Sequence, residues 1–530
     1  MSHYIVVGAG SAGCALAARL TEDPAVEVTL IEAGGQDDAD EIHVPAAFGS
    51  LMKSRFDWDF DSEPEPALAG RRLYLPRGRV VGGSSSINAM IYIRGNRADW
   101  DGYAAAGATG WGYEDVLPYF KRSETNERGA NEYHGADGPL TVSENRSRSP
   151  LMQAWVAAAR EAGLAANEDF NAESQDGVGF YQVTQRDGRR WSTAQAFLRP
   201  ALDRPNLELV TDALVHRVVV EGGRAVGVEL YHDGRLQQRR AEVEVILAAG
   251  AYGSPQLLLL SGIGPAAELA PLGIDVVADL PEVGEHLTDH PMSAVGVWTD
   301  TESLLTATAP HHLQQFAREG RGPLTSNFAE AGGFLRTDPS LDAPNVQFHA
   351  APAPFVEEGL AVAVDHAWVS SACLLTPESR GKVSLRAPIP SSKPRIVHRY
   401  FESEADRAAM IEGVRRAMQI AEQPALAPHV RERMVGAYPA SDSDEDVWAH
   451  IQRTAQTLYH PAGTCGIGRV VDAELRVQGV EGLRVADASV LPVVPRGNTN
   501  APAIVVGEKA ADLLRGVPAA QAADRAEVAA

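Results

Sequence analysis

Apolar residues run unbroken through Tyr4–Val7, stop at a glycine turn, and resume inside a helix start in the stretch YIVVGAGSAGCALAARL. A largely apolar run over Val26–Ile31 follows and ends at Glu32. This pattern predicts strand, tight turn, helix and strand over Tyr4–Glu32. A loop-rich stretch from Gly34 to about Leu75 comes next. Ser149–Ala162 places apolar residues three and four apart and predicts a helix. Asn206–Val220 and Ala225–Tyr231 alternate as strands joined at Glu221-Gly222-Gly223. Val243–Ala249 predicts a buried strand, Leu483–Asp487 a short strand ending in an acid, and Asn500–Leu514 a closing helix. Val295–His450 has no phosphate-type glycine turn and reads as strands and helices of a second domain. The alanine-rich end, 519–530, is expected to be disordered.

The first turn carries chemistry. Gly8 allows the sharp bend, Gly10 lets backbone approach a pyrophosphate, and Gly13 lets the helix pack on the sheet. The helix start offers free N–H groups and a positive dipole end. Glu32, 19 residues beyond the last glycine, is placed to accept from a ribose. Together these predict a dinucleotide site.

Composition narrows the class. The chain has 530 residues, enough for two large domains. Its formal charge of −23 argues against nucleic acid and anionic membrane partners. The three scattered cysteines form neither a disulfide framework nor a thiolate metal site. No apolar run reaches transmembrane length, and the glycine motif begins too early for a signal peptide, so a cytoplasmic protein is expected. His286 and His290, four apart, lack a third ligand nearby, so no metal is expected. His311-His312 reads as a loop over a pocket or as plain surface.

Phosphate-type signals sit near the start, in the middle and at the end of the chain. The segment GRVVGGSSSINAMIYIRGNRADWD from Gly78 adds backbone donors flanked by apolar residues that want burial. This stretch resembles the first signature of the glucose-methanol-choline family of flavin oxidoreductases. GAYGSPQLLLLSGIG from Gly250 resembles its second signature. TLYHPAGTCGIG, LRVADASVLP and RGNTNAPAIVVGEKAADLL resemble its C-terminal block. HPAGTC, GNTNAP and DGVGFYQVTQ are most similar to its choline- and aliphatic-alcohol-oxidising branch. The resemblance implies an α/β fold with FAD. A discontinuous Rossmann-like FAD domain (1–148, 205–294, 456–518) would carry an inserted α+β substrate domain (149–204, 295–455) on an antiparallel sheet.

By the same resemblance, Gly8, Gly10, Ser11, Ala12 and Gly13 would carry the pyrophosphate, and Glu32 with Ala33 the ribose. Arg79, Val81, Gly83 and Ser84, then Asn88, Ala89, Met90 and Ile91, would follow the flavin. The Val215 backbone would meet the adenine. Ala249 and Gly250, Asp487 and Ala488, and Asn500, Ala501 and Pro502 would complete the cofactor site. The catalytic pair, a His with a second His or Asn, falls on His460 and Asn500. Chemistry supports such a pair: a hydroxyl is a poor acid, so its oxidation needs a base, and neutral His suits that role. Asn500 would orient the hydroxyl. The implied reaction transfers hydride to flavin N5. Oxygen would then reoxidise the flavin and yield H2O2, with Leu458 leaving it a small apolar space.

Two departures from the family refine the expectation. Where some choline oxidases attach FAD through a His, this chain has Ile87, so FAD is expected to be non-covalent. Where choline oxidases place a Glu after Asp-His-Pro, this chain has Met292, which cannot counter a quaternary ammonium. An uncharged alkyl alcohol against Met292, Met90 and Phe355 is therefore expected, with His349 as a further polar contact. The alternatives are a dehydrogenase passing electrons to a quinone or another acceptor, choline as substrate, and an FAD-containing hydroxynitrile lyase.

Overall fold

The computed structural model describes residues 2–517, except 356, 361 and 362. The expected tail, 519–530, lies outside the described residues. A five-stranded parallel sheet forms the first layer, in the order Leu207–Val210, Val26–Ile31, Ser2–Val7, Val245–Leu247, Leu483–Val485. Its strands come from the beginning, middle and end of the chain. Parallel strands buried on both faces read as near-continuous apolar runs, which is why YIVV and VIL carry no alternation. The helices Ser11–Leu20 and Asn500–Arg515 pack against each other and start where these strands end.

A second, antiparallel sheet contains Glu432–Arg433, Pro291–Trp298, Ala367–Leu374, Val346–Ala351, Ala331–Leu335 and Gly177–Phe180 in that order, with Gln456–Thr457 also paired to Pro291–Trp298. The expected helix is found at Pro150–Glu161, capped by the Ser149 hydroxyl at 3.2 Å from the Leu151 N–H. Its Trp155 packs into the core under this sheet with Phe348, Trp368 and Met410.

The expected single strand over Asn206–Val220 is two. Leu207–Val210 joins the parallel sheet, and Leu214–Glu221 leaves it for a three-stranded antiparallel meander with Arg224–His232 and Arg235–Arg240. The break lies at Asp212, which takes a left-handed conformation (φ 54°) and donates its N–H to Gly34. Alternation continues through the break, so periodicity alone does not reveal it. His311 and His312 are likewise not in a loop: they open the exposed helix Pro310–Glu319. Among the described residues, no helix is long and apolar enough to cross a membrane.

Candidate active site

One large cavity runs from the ends of the parallel strands to the face of the antiparallel sheet, with about 2350 Å³ of empty space including its mouth. Its lining joins the glycine turn at Gly8 and Gly10 to His349 and His460, so a single cavity connects the two ends.

At one end the glycine turn is built for close approach. Gly8 sits at φ 105°, and a Cβ there would meet the Ala248 carbonyl oxygen at 2.4 Å. A Cβ on Gly13 would meet the Gly8 carbonyl at 1.9 Å. Gly13 therefore serves packing and does not line the cavity, whereas Gly8, Gly10, Ser11 and Ala12 do. No side chain caps the helix start at Gly10, which leaves its first-turn N–H groups open to an anion. Glu32 is buried and accepts from the Ala9 and Gly34 N–H groups, each at 2.9 Å. Burial pushes its carboxyl up to about 7, against those two hydrogen bonds. Each oxygen keeps a second lone pair.

Ala33, Gly83, Ser84, Asn88, Ala89, Met90 and Ile91 line the cavity, as do Val215, Ala249, Gly250, Asp487, Ala488 and Asn500. Asp487 accepts from the Gly250 N–H at 2.9 Å and from Ser254 at 2.5 Å. Besides Gly13, four expected cofactor residues do not line it. The Arg79 guanidinium stacks outward over Trp58 at 5.0 Å. Val81 is buried in the core and pairs its N–H with Gly35. Ala501 and Pro502 turn into the body of the closing helix, and Ala503 faces the cavity instead.

The other end holds His460, His349, Met90, Met292, Phe355 and Leu458, all lining the cavity as expected. The Asp289 carboxylate fixes the base by accepting from the backbone N–H groups of both His290 and His460 at 2.8 Å. Tyr459 takes φ 72°, an unusual conformation for an aromatic residue, immediately before His460. His460 Nδ1 lies 3.0 Å from His290 Nδ1, and His290 Nε2 lies 3.1 Å from the Leu375 carbonyl.

A carbonyl only accepts, so His290 Nε2 carries a hydrogen. Burial pulls the His290 imidazole down to about 4, so it is neutral and its Nδ1 accepts. His460 Nδ1 must then donate. Burial, followed by His290, His349 and Arg77, holds His460 well below the ordinary range, so its Nε2 is a bare acceptor. The partner of that nitrogen is the Asn498 Nδ2, at 3.3 Å.

Asn498 therefore corrects the expected pair. The Asn500 side chain turns away from His460, and its Oδ1 accepts from Ser11 at 2.7 Å. Asn500 opens the closing helix, whereas Asn498 precedes its cap, so two residues of spacing point the amides at different groups. The Asn498 amide orientation follows from its neighbours. The Tyr181 hydroxyl donates to the Phe348 carbonyl and accepts from Gln347 Nε2, which also donates to Asn498 Oδ1 at 3.1 Å. Sequence reasoning missed Asn498, and it missed His290 as the partner of His460.

His349 is 5% exposed, and both of its ring nitrogens lack a partner. Burial pulls its imidazole down to about 3. An unpaired buried imidazole facing a cavity is a ready hydrogen-bonding group for a ligand. Among the described residues, the carboxylates lining the cavity are Glu32 and Asp487, both at the turn end. His286 does not pair with His290; it bonds Glu282 at 2.7 Å. His311 and His312 gather with Glu302 on the surface, outside the cavity.

Known proteins agree with this architecture. The two halves of the GMC oxidoreductase family profile match residues 2–292 and 377–507. An alcohol dehydrogenase [acceptor] of Pseudomonas putida is 42% identical over 97% of this chain and 96% of its own. A mitochondrial choline dehydrogenase of Mus musculus is 43% identical over 97% of this chain and 90% of its own. The solved structure of a pyridoxine 4-oxidase from Mesorbium loti superposes with a TM-score of 0.89 at 30% identity, covering 97% of this chain and 99% of that one. Oxidoreductases of this family bind FAD, and the glycine turn, Glu32 and the paired helix starts fit such a ligand. The chain belongs to the GMC oxidoreductase family.

Proposed function

We propose that this protein oxidises an uncharged primary alcohol to the aldehyde, using non-covalent FAD and passing the electrons to O2 as H2O2. The observation that carries the reading is the bare Nε2 of His460, which faces a cavity end without a carboxylate. Gly8, Gly10, Ser11 and Ala12 would hold the pyrophosphate, Glu32 the ribose, and Asn88 to Ile91 the ring. Bound FAD supplies the hydride acceptor for the carbinol carbon. A hydroxyl placed between His460 and Asn498 accepts from Asn498 Nδ2 and donates to His460 Nε2. The 3.3 Å separation of those atoms is loose enough to yield to it. His349 offers a second polar contact.

Met292 is 3% exposed and lines the pocket, packing with Ile91, Phe334 and Leu375 in its wall. Phe48, Phe328 and Phe355 follow one another at 5.2 and 5.3 Å between ring centres. These surfaces suit an alkyl chain, and among the described residues no carboxylate lines this end to counter a trimethylammonium group. Ile87 lines the cavity and offers no nucleophile for a covalent flavin link. The proposed flavin domain comprises 1–148, 205–294 and 456–518 and the proposed substrate domain 149–204 and 295–455, with the strand Pro291–Trp298 crossing the boundary between them. Three buried free cysteines support a reducing cytoplasm.

The test is peroxide release by the purified protein with straight-chain primary alcohols beside choline. Peroxide with hexan-1-ol and little with choline supports the reading, and the reverse order contradicts it. The relative named alcohol dehydrogenase [acceptor] favours a second reading, the same alcohol chemistry with another electron acceptor. Silence with oxygen, but turnover with an artificial acceptor, selects that reading.

A further inference from the structure

Among the described residues, no carboxylate neutralises the charge of Arg190. Its side chain is 1% exposed. Nε donates to the Ile42 carbonyl at 2.7 Å. Nη1 donates to the carbonyls of Ser85 and Asn88 at 3.2 and 2.6 Å, and to Asn88 Oδ1 at 2.8 Å. Nη2 has no partner. Burial pulls the guanidinium down to about 9 with no carboxylate nearby to oppose it, so it stays charged at neutral pH. A buried cation without an anion is costly, and chains keep one where it serves a ligand or a mechanism.

The charge is directed at one cavity residue. Asn88 Oδ1 accepts from Arg190 and also from the Met90 N–H at 3.0 Å. Both partners only donate, which fixes the amide with Oδ1 inward. Among the described residues the Asn88 Nδ2 hydrogens have no partner, and Asn88 lines the cavity. The clamp also braces a strained turn, since Met90 sits at φ 56°. Thr193 holds the other end of the same segment through Ser85 at 2.7 Å.

We propose that Arg190 is a positioning residue for the flavin ring: it locks the Asn88 amide with Nδ2–H aimed at an acceptor edge of the ring and sets a fixed positive charge behind it. This rests on the reading of the cavity as an FAD site. Hydride transfer from the alcohol leaves the hydroxyl proton on His460 and one added negative charge on the acceptor ring. Arg190 and the Asn88 N–H favour that added charge over the oxidised ring, and so raise the reduction potential.

The test is the midpoint potential and flavin affinity of the holoenzyme and its variants. In Arg190→Gln the potential moves to a more negative value and reduction by alcohol slows about tenfold or more. Arg190→Lys keeps the charge and stays nearer the wild type. Asn88→Asp is isosteric and can still accept from Arg190 and Met90. It removes the donor and neutralises the charge, so its potential also moves negative even if Arg190→Gln does not fold. An unchanged potential in Asn88→Asp or in a folded Arg190→Gln overturns the proposal alone. An equal shift in Arg190→Lys and Arg190→Gln also overturns it. A wild-type protein that binds no FAD overturns the reading of the cavity together with this assignment.

Discussion

His290 and His460 meet Nδ1 to Nδ1 at 3.0 Å with their rings 89° apart, and one hydrogen serves the pair. Because His290 spends its own N–H on Leu375, that hydrogen belongs to His460, and the opposite nitrogen of His460 is left as the base. Orientation of a base by a second group is the same logic that fixes the tautomer in other catalytic pairs. Replacement of His290 by Phe removes the acceptor for His460 Nδ1. The rate of flavin reduction is expected to fall roughly 10- to 100-fold, with FAD still bound, as measured by anaerobic mixing with alcohol.

Loss of the base itself is more severe. His460→Ala is expected to slow flavin reduction by about 10³-fold. Flavin content should stay near the wild type, because the hydrogen bonds of His460 go to His290, Asp289 and Asn498 and not to the glycine turn. Rapid-mixing absorbance at the flavin band measures both, and near wild-type reduction removes His460 from the role.

Asn498 and Asn500 separate two functions that lie two residues apart. Asn498→Ala is expected to slow reduction by about 10²-fold with little change in FAD affinity. Asn500→Ala removes the partner of the Ser11 hydroxyl and is expected to weaken FAD binding more than it slows the bound enzyme. Flavin titration beside reduction rates distinguishes the two, and the opposite assignment of effects restores Asn500 to the catalytic pair.

Acid should leave the base active but the fold weaker. His460 is held well below the ordinary value, so neutral imidazole persists as pH falls through about 6.5. Alcohol-dependent flavin reduction is therefore expected to stay level through that region. Stability behaves differently. His290 and His349 stay neutral in the fold down to about 4 and about 3, while the unfolded chain takes up protons below about 6.5. The unfolded state thus binds more protons, and each group removes about 1.4 kcal/mol per pH unit as pH drops from about 6.5 towards its folded value. His450, pulled down to about 4 by burial, and His460 act in the same sense, while Glu32, raised to about 7, acts in the opposite sense above about 4.5. Denaturant unfolding at pH 7 and pH 5 measures the balance, and greater stability at pH 5 contradicts it.

A carboxylate in the pocket wall should change the substrate. Met292→Glu places an anion where choline would present its ammonium and is expected to raise kcat/KM for choline relative to hexan-1-ol by about tenfold. An unchanged ratio shows that this position does not decide charge selectivity.

Much of this site is legible in local sequence because local geometry makes it. The strand–turn–helix from Tyr4 and the acid at Glu32 are short-range features, and the cavity begins where they place it. The base at His460 is legible through its block of neighbours. Its partners are not. His290 approaches from 170 residues away, and Gln347, which orients Asn498, from 151. Asn498 and Asn500 differ only in their phase relative to the start of the closing helix, which the run GNTNAP does not mark. Arg79, Val81, Ala501 and Pro502 fall within matched motifs yet face solvent or core, because some residues of a motif set the backbone path and do not contact the ligand. The strand break at Asp212 escaped for a similar reason, since a change of sheet leaves the alternation intact.

The central claim is that a bare His460 Nε2 takes the proton of an uncharged alcohol as FAD is reduced. Anaerobic mixing of hexan-1-ol with wild-type holoenzyme and with FAD-loaded His460→Ala tests it most directly. Rapid bleaching of the wild-type flavin and about 10³-fold slower bleaching in the variant are expected. No bleaching in the wild type, or equal rates in both proteins, contradicts it.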